Sequence, residues 1–102
     1  AFHADKVFIS CPKVTMQYGL SDNHNSEARV REFMLRQSTY RVLIADHTKF
    51  GKVAFSVISD WSSIDMVVTD IRPSDEWLKY FAEKGIQCLY GKEDDEDDSL
   101  CE

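Results

Sequence analysis

No stretch of this sequence approaches the roughly 20 consecutive apolar residues that a membrane-spanning helix needs. The N-terminus also lacks a charged start leading into an apolar core, so neither membrane insertion nor secretion is expected and the chain is read as cytoplasmic. Cysteines are few and unpaired: Cys11, Cys88 and Cys101 are odd in number, far apart and form no C-x-x-C pair. That is the pattern of reduced thiols, not of a disulfide frame or a zinc site. His3, His24 and His47 do not fall at metal-ligand spacing either, so each reads as a surface or turn histidine, and no metal or cofactor is expected. Also missing is a clustered basic face able to neutralise phosphates, which excludes DNA binding by these residues alone.

The net charge of −6 misleads until it is located. From Gly91 onward the chain holds seven of its acids and one base, whereas residues 1 to 90 hold eleven of each. A like-charged block repels itself and buries nothing, so residues 91–102 are expected to be a solvated, disordered tail. At 102 residues and 43% hydrophobic, the remainder is long enough for one core and one domain.

The run Arg41-Val42-Leu43-Ile44-Ala45 ends at Asp46, with Lys49 three residues further on. An apolar, β-branched run of this length reads as a strand buried on both faces, as in a parallel α/β sheet. Four such segments recur: Lys6 to Ser10, Tyr40 to Ala45, Asp65 to Thr69 and Ile86 to Tyr90. Ser26 to Ser38 reads as an amphipathic helix with Val30, Phe33, Met34 and Gln37 on one side, capped by Asn25 or Ser26. Pro73-Ser74-Asp75-Glu76 starts a second helix that buries Trp77, Leu78, Phe81 and Ala82 and stops at Gly85. Val53 to Ser59 fits a strand, with a helix as the alternative, and Cys11 to Asn25 reads as a long polar loop of the kind that often carries function. The alternation of strands and helices points to a three-layer α/β domain with a parallel sheet.

In open α/β sheets ligands bind beyond the carboxyl ends of the strands. Three of the four strands end in polar residues: Ser10-Cys11, Asp46-His47-Thr48-Lys49 and Thr69-Asp70. An ammonium beside carboxylates and hydroxyls can hold the oxygens of a polyol or a phosphate. Against this, Asp46 and Asp70 could each cap a turn, and Lys49 could be a solvated surface lysine. Cys11 reads as structural or ligand-lining, since no base stands at a spacing that would activate a nucleophile.

Five pieces occur in an order and at spacings that resemble the effector-sensing domain of DeoR-family bacterial transcriptional regulators: Ala4-Asp5-Lys6-Val7-Phe8-Ile9, Tyr18-Gly19-Leu20-Ser21, Ser26-Glu27-Ala28-Arg29-Val30, Leu43 through Gly51, and Ile64 through Asp70. The most specific is Asp46-His47-Thr48-Lys49-Phe50-Gly51 followed by Thr69-Asp70. The resemblance implies a Rossmann-like fold related to ribose-5-phosphate isomerase and glucosamine-6-phosphate deaminase, with residues 1–90 forming the later part of a sugar-phosphate sensor domain. It implies a repressor in which a phosphorylated sugar alters the DNA affinity of an N-terminal helix-turn-helix absent from this chain, in a homo-oligomer. Carried over by position, Lys49 is the motif lysine, Asp46 the strand-end aspartate and Glu27 the acid opening the helix. Ser10-Cys11-Pro12-Lys13 departs from the small residues usual there, placing Cys11 against the ligand.

A fragment of an isomerase- or deaminase-type enzyme is the alternative, since a carboxylate base and a carbonyl-polarising lysine are its minimum equipment. Where such enzymes carry an acidic loop this chain has Ser10-Cys11-Pro12, so no catalysis is expected. A phosphoacceptor receiver domain would need adjacent acids after the first strand, and Ser10-Cys11 are not acids.

Overall fold

A computed structural model describes residues 4–92. In chain order these residues form β1 (Ala4–Ser10), β2 (Lys13–Thr15), β3 (Gly19–Asp22), α1 (Asn25–Arg36), β4 (Ser38–Ile44), β5 (Ser56–Ser59), β6 (Met66–Ile71), α2 (Asp75–Lys84) and β7 (Gln87–Lys92). Short 3-10 turns occupy His47–Lys49 and Trp61–Ser63. The four apolar segments make one wholly parallel sheet in the order β1-β4-β6-β7, as their β-branched composition predicts. Its register sets Ile9, Leu43, Val67 and Cys88 side by side.

The strand order follows the chain without reversal. Right-handed crossovers that all step the same way place their connections on a single face of the sheet. Ala28 and Leu35 of α1, Phe81 of α2 and Val14, Leu20 and Ile58 accordingly share one core with Val7, Ile9, Leu43 and Val67. On the opposite face Phe8 is 61% exposed, and Ile44 and Leu89 are 46% exposed. Of the three layers expected, the described residues therefore supply two, and β4 is buried on both sides at Val42 and Leu43 but not at Ile44.

The stretch Cys11 to Asn25 is not the loop expected. It supplies β2 and β3, which pair antiparallel with each other and, through β3, with β5 to form a second sheet. These strands are short and polar, yet Ser21 and Asp22 are buried because both find partners. Ser21 Oγ accepts the Ala54 amide at 2.9 Å and donates to the Lys13 carbonyl at 3.4 Å. Gly19 enters at φ +77°, a region open to glycine, and a Cβ there would lie 2.3 Å from the Ser59 carbonyl oxygen. Val53 to Ser59 resolves as a strand, limited to Ser56–Ser59.

The second sheet also explains why α1 turns differently from its apparent stripe. α1 packs on β5 as well as on the parallel sheet, and Arg29 donates to the Val57 carbonyl at 2.6 Å. Ala28 and Leu35 are buried while Val30 and Phe33 are exposed. The helix starts at Asn25 with His24 as N-cap and no side-chain cap, not with Asn25 or Ser26 capping, and it ends at Arg36 so that Ser38 opens β4. α2 keeps its expected end signals, with the Trp77 amide donating to Ser74 Oγ and Gly85 left-handed at the C-cap, but of its expected stripe Phe81 is buried, Trp77 and Leu78 are half-buried and Ala82 is exposed. Its Trp77, Tyr80 and Phe81 join Phe50 and Trp61 in edge-on ring contacts, the arrangement aromatic quadrupoles prefer. Trp61 Nε1 donates to the Thr15 carbonyl at 2.8 Å, and Tyr80 donates to that of Met16 at 3.2 Å. A strap joins the sheets: the Gly51 and Lys52 amides both donate to the Val14 carbonyl, at 2.7 and 3.1 Å. β7 runs through Lys92, two residues into the expected tail. The rest of that tail, with Cys101, lies outside the described residues, as does His3.

Candidate functional site

A cleft of 610 Å³ opens beyond the carboxyl ends of β1 and β4, where ligands of open α/β sheets collect. Cys11, Glu27, Asp46 and Lys49 all line it, together with Asp22, His24 and Arg31. Four residues singled out from three separate segments of the sequence are thus brought around one space. Three further charged or titratable groups join them that strand-end reasoning did not select.

The Asp46 wall is built by a short local motif. Beyond β4 the chain turns, and Asp46 in extended conformation accepts the Thr48 amide at 2.8 Å and the Thr48 hydroxyl. The second carboxylate oxygen of Asp46 takes Lys49 Nζ at 3.2 Å. Donation from Thr48 above all, then the Lys49 charge, holds the Asp46 carboxyl below its usual range. Asp46 therefore caps a turn and also orients an ammonium. Lys49 Nζ lies 3.4 Å from Thr48 Oγ1 and has a side chain 38% exposed, with donor capacity left for a ligand.

The opposite wall comes from β3 and the first turns of α1. Asp22 is buried, its oxygens taken by the His24 amide at 3.0 Å and by Arg31 Nη1 at 2.5 Å. Burial pushes the Asp22 carboxyl up, but the His24 amide and the Arg31 guanidinium outweigh it and the net shift is downward. Glu27 stands at the mouth, 60% exposed, with its carboxylate 3.8 Å from Arg31 Nη1 and 4.0 Å from His24 Nδ1. Asp22, His24 and Glu27 each offer a ligand atom within 4.8 Å of one another. Both oxygens of Asp22 are already engaged, however, so the group reads as part of the ion-pair network around Arg31.

Cys11 forms the floor and makes no free contact surface. It is 2% exposed, and burial pushes its thiol pKa up. The protonated sulfur donates toward the Lys13 and Ser21 carbonyls at 3.2 and 3.3 Å, fixing the turn from β1 into β2 against β3. Asp70, at the end of β6, serves its neighbour: it accepts the His47 amide at 2.8 Å and lies 2.9 Å from His47 Nδ1. A narrower apolar groove of 400 Å³, walled by Phe8, Val30 and Met34, runs on from the cleft through Ser10, Glu27 and Arg31.

Asp22 and Arg31 could be heard only faintly in the sequence. Glu27 and Arg31 stand at i and i+4, a pair that meets on a helix surface. Asp22 lies in the polar cluster 21–25, and nothing in one sequence tells that a polar cluster folds inward.

A cleft at the ends of parallel strands, walled by paired opposite charges and opening to solvent, is the kind of site in which open α/β domains hold small polar ligands. The family model described as the DeoR C-terminal sensor domain matches residues 1–71. The chain belongs to this family, the effector-sensing domains of transcriptional regulators. It is 33% identical over 89 residues to the deoxyribose operon repressor of Escherichia coli strain K12, covering 87% of this chain and 35% of that protein. Over 95 residues it is 24% identical to the HTH-type transcriptional repressor GlcR of Bacillus subtilis strain 168, 93% of this chain and 36% of the relative. Over 84 residues it is 30% identical to the HTH-type transcriptional regulator GolR of Listeria innocua, covering 82% and 33%. The chain spans about a third of the length of the curated relatives it matches.

Proposed function

We propose that this chain is the later part of the sensor of a DeoR-type repressor, and that its cleft binds a phosphorylated sugar. Lys49 contacts a ligand oxygen or the phosphate, while Asp46 and Glu27 accept hydroxyls or orient the lysine. The observation that carries this reading is the convergence of Lys49, Asp46 and Glu27 on one cleft floored by Cys11. Binding shifts the DNA affinity of a helix-turn-helix outside these residues by favouring one of two packings of a homo-oligomer, to the extent that the ligand binds the two states unequally. The names of the relatives as repressors and regulators support binding over catalysis. Among the described residues no helix is long and apolar enough to cross a membrane. Deoxyribose, named for the Escherichia coli repressor, makes pentose 5-phosphates the first probes, and the relation to sugar-phosphate isomerases and deaminases that the family resemblance implies adds hexose 6-phosphates.

The test is effector titration of the full-length regulator on its operator, wild type beside Lys49→Met. Methionine keeps most of the stem and removes a charge-assisted contact worth roughly 1.5–3 kcal/mol, which raises the effector concentration needed by about 10- to 150-fold with operator affinity unchanged. An unaltered response would place the ligand elsewhere.

A further inference from the structure

The cleft holds two permanent cations, and the structure treats them differently. Lys49 sits on a turn with its ammonium already shared between Asp46 and Thr48. Arg31 rises from the second turn of α1 with a side chain only 23% exposed, anchored through Nη1 by a carboxylate that is 4% exposed. Among the described residues Nε and Nη2 of Arg31 have no hydrogen-bond partner, and the residue lines both the cleft and the apolar groove that continues from it. A guanidinium held at one corner by a buried counter-ion is a preorganised fork, with its remaining edge suited to two oxygens of a phosphate. The first turn of α1 adds to this: no side chain caps it, and its amides and dipole favour negative charge at the same end of the cleft.

We propose that Arg31 is the phosphate-binding and specificity-determining residue of the cleft, held in position by Asp22, while Lys49 and Asp46 read the hydroxyl or carbonyl end of the ligand. The proposal rests on the cleft being the effector site. The cleft's carboxylates do not stand against it. Asp22 and Asp46 are each paired with a cation, and Glu27 is left at the solvent-exposed mouth, where water and salt screen it. A phosphate arriving at Arg31 displaces the long 3.8 Å contact with Glu27 and leaves the Asp22 anchor intact.

The experiment is calorimetric titration of the full-length regulator with pentose 5-phosphates and hexose 6-phosphates, each beside its unphosphorylated sugar, and with inorganic phosphate. Arg31→Lys keeps a charge to pair with Asp22 and so guards against misfolding, but loses the fork. Arg31→Met removes both. The expected result is a loss of about 10-fold for Arg31→Lys and up to about 150-fold for Arg31→Met toward phosphorylated sugars, with inorganic phosphate weakened in parallel and unphosphorylated sugars unchanged. Lys49→Met should weaken phosphorylated and unphosphorylated sugars alike. If the Arg31 variants bind phosphorylated sugars as the wild type does, while Lys49→Met is weakened, Arg31 is overturned and the effector site stands. Equal losses toward both kinds of sugar would reduce Arg31 to a structural role and also overturn it. A wild type that binds no phosphorylated compound overturns the effector-site reading and the proposal together.

Discussion

Asp22→Asn isolates the ion pair on which one wall of the cleft depends. Asparagine is nearly the same size and keeps an oxygen to accept the His24 amide, so the change removes chiefly the negative charge facing Arg31 Nη1 at 2.5 Å. At the effective dielectric typical near a protein surface, opposite charges about 4 Å apart attract by about 4 kcal/mol. Removing one partner of a buried pair costs about 3–5 kcal/mol when the other is left without compensation. Arg31 retains some solvent access and has Glu27 at 3.8 Å, which lowers the loss to about 2–3 kcal/mol. For a domain of this size that corresponds to a fall in Tm of roughly 10–20 °C. Urea denaturation followed by tryptophan fluorescence reads it directly, since Trp61 and Trp77 lie in or against the core. The pH profile supplies an independent check. Because the folded carboxyl is held below its usual range, the stability it contributes is fully present above the unfolded pKa of about 3.9 and is lost as pH falls through the lower, folded value. The gap between wild type and Asp22→Asn should therefore be constant from pH 7 to about 5 and narrow below about 4. A gap under about 0.5 kcal/mol at neutral pH, or one that persists undiminished to the acid limit, would refute the assignment of the pair as a structural anchor.

Gly19→Ala should destabilise by more than about 3 kcal/mol, since left-handed backbone strain adds to a Cβ placed 2.3 Å from Ser59 O and 2.8 Å from Asp60 Cα. Gly51→Ala, at φ +82° with nothing within 4 Å, should cost only about 1–2 kcal/mol, so equal effects at the two glycines would show that the close approach of β3 to β5 is not the cause. Because residues 1 to 90 balance their charges, the 102-residue chain by itself should show no salt-dependent retention of DNA in a shift assay. Tight binding that weakens with salt would contradict that reading.

What could be read from the sequence follows what each element buries. The parallel strands announce themselves because a strand buried among neighbours needs consecutive apolar residues, and Val42-Leu43 and Val67-Val68 supply them. α2 is legible at both ends because Ser74 and Gly85 satisfy requirements that few other residues meet. β2 and β3 are not legible: Ser21 and Asp22 look like loop residues, and their burial rests on partners at Lys13, His24, Arg31 and Ala54, which only the folded chain brings to them. The buried face of α1 departs from its apolar stripe for the same reason. Val30, Phe33 and Met34 form an apolar stripe, but the site of burial is decided by a second sheet that the sequence does not advertise. In the cleft, Lys49 and Asp46 were accessible through their place at a strand end. Arg31, on a helix of mixed charge, offered only its i,i+4 relation to Glu27.

The strap from Asp46 to Lys52 gives the cleft a mechanical property. Its near end carries Lys49, and its far end, two and three residues on, is hooked to the Val14 carbonyl. Val14 is fully buried and belongs to β2, whose partner β3 ends at Asp22. A force applied at Lys49 is therefore led through Gly51 and Val14 into the strand pair that carries the opposite wall. The two sides of the cleft are joined behind it as a pair of tongs is joined at its pivot. A ligand spanning Lys49 and Arg31 would close a loop of contacts running through the strap, β2, β3 and the Asp22–Arg31 pair, and amide hydrogens at Gly51, Lys52 and along β3 would then be where its arrival registers as slowed exchange, 

well before any change is felt at the far edge of the parallel sheet.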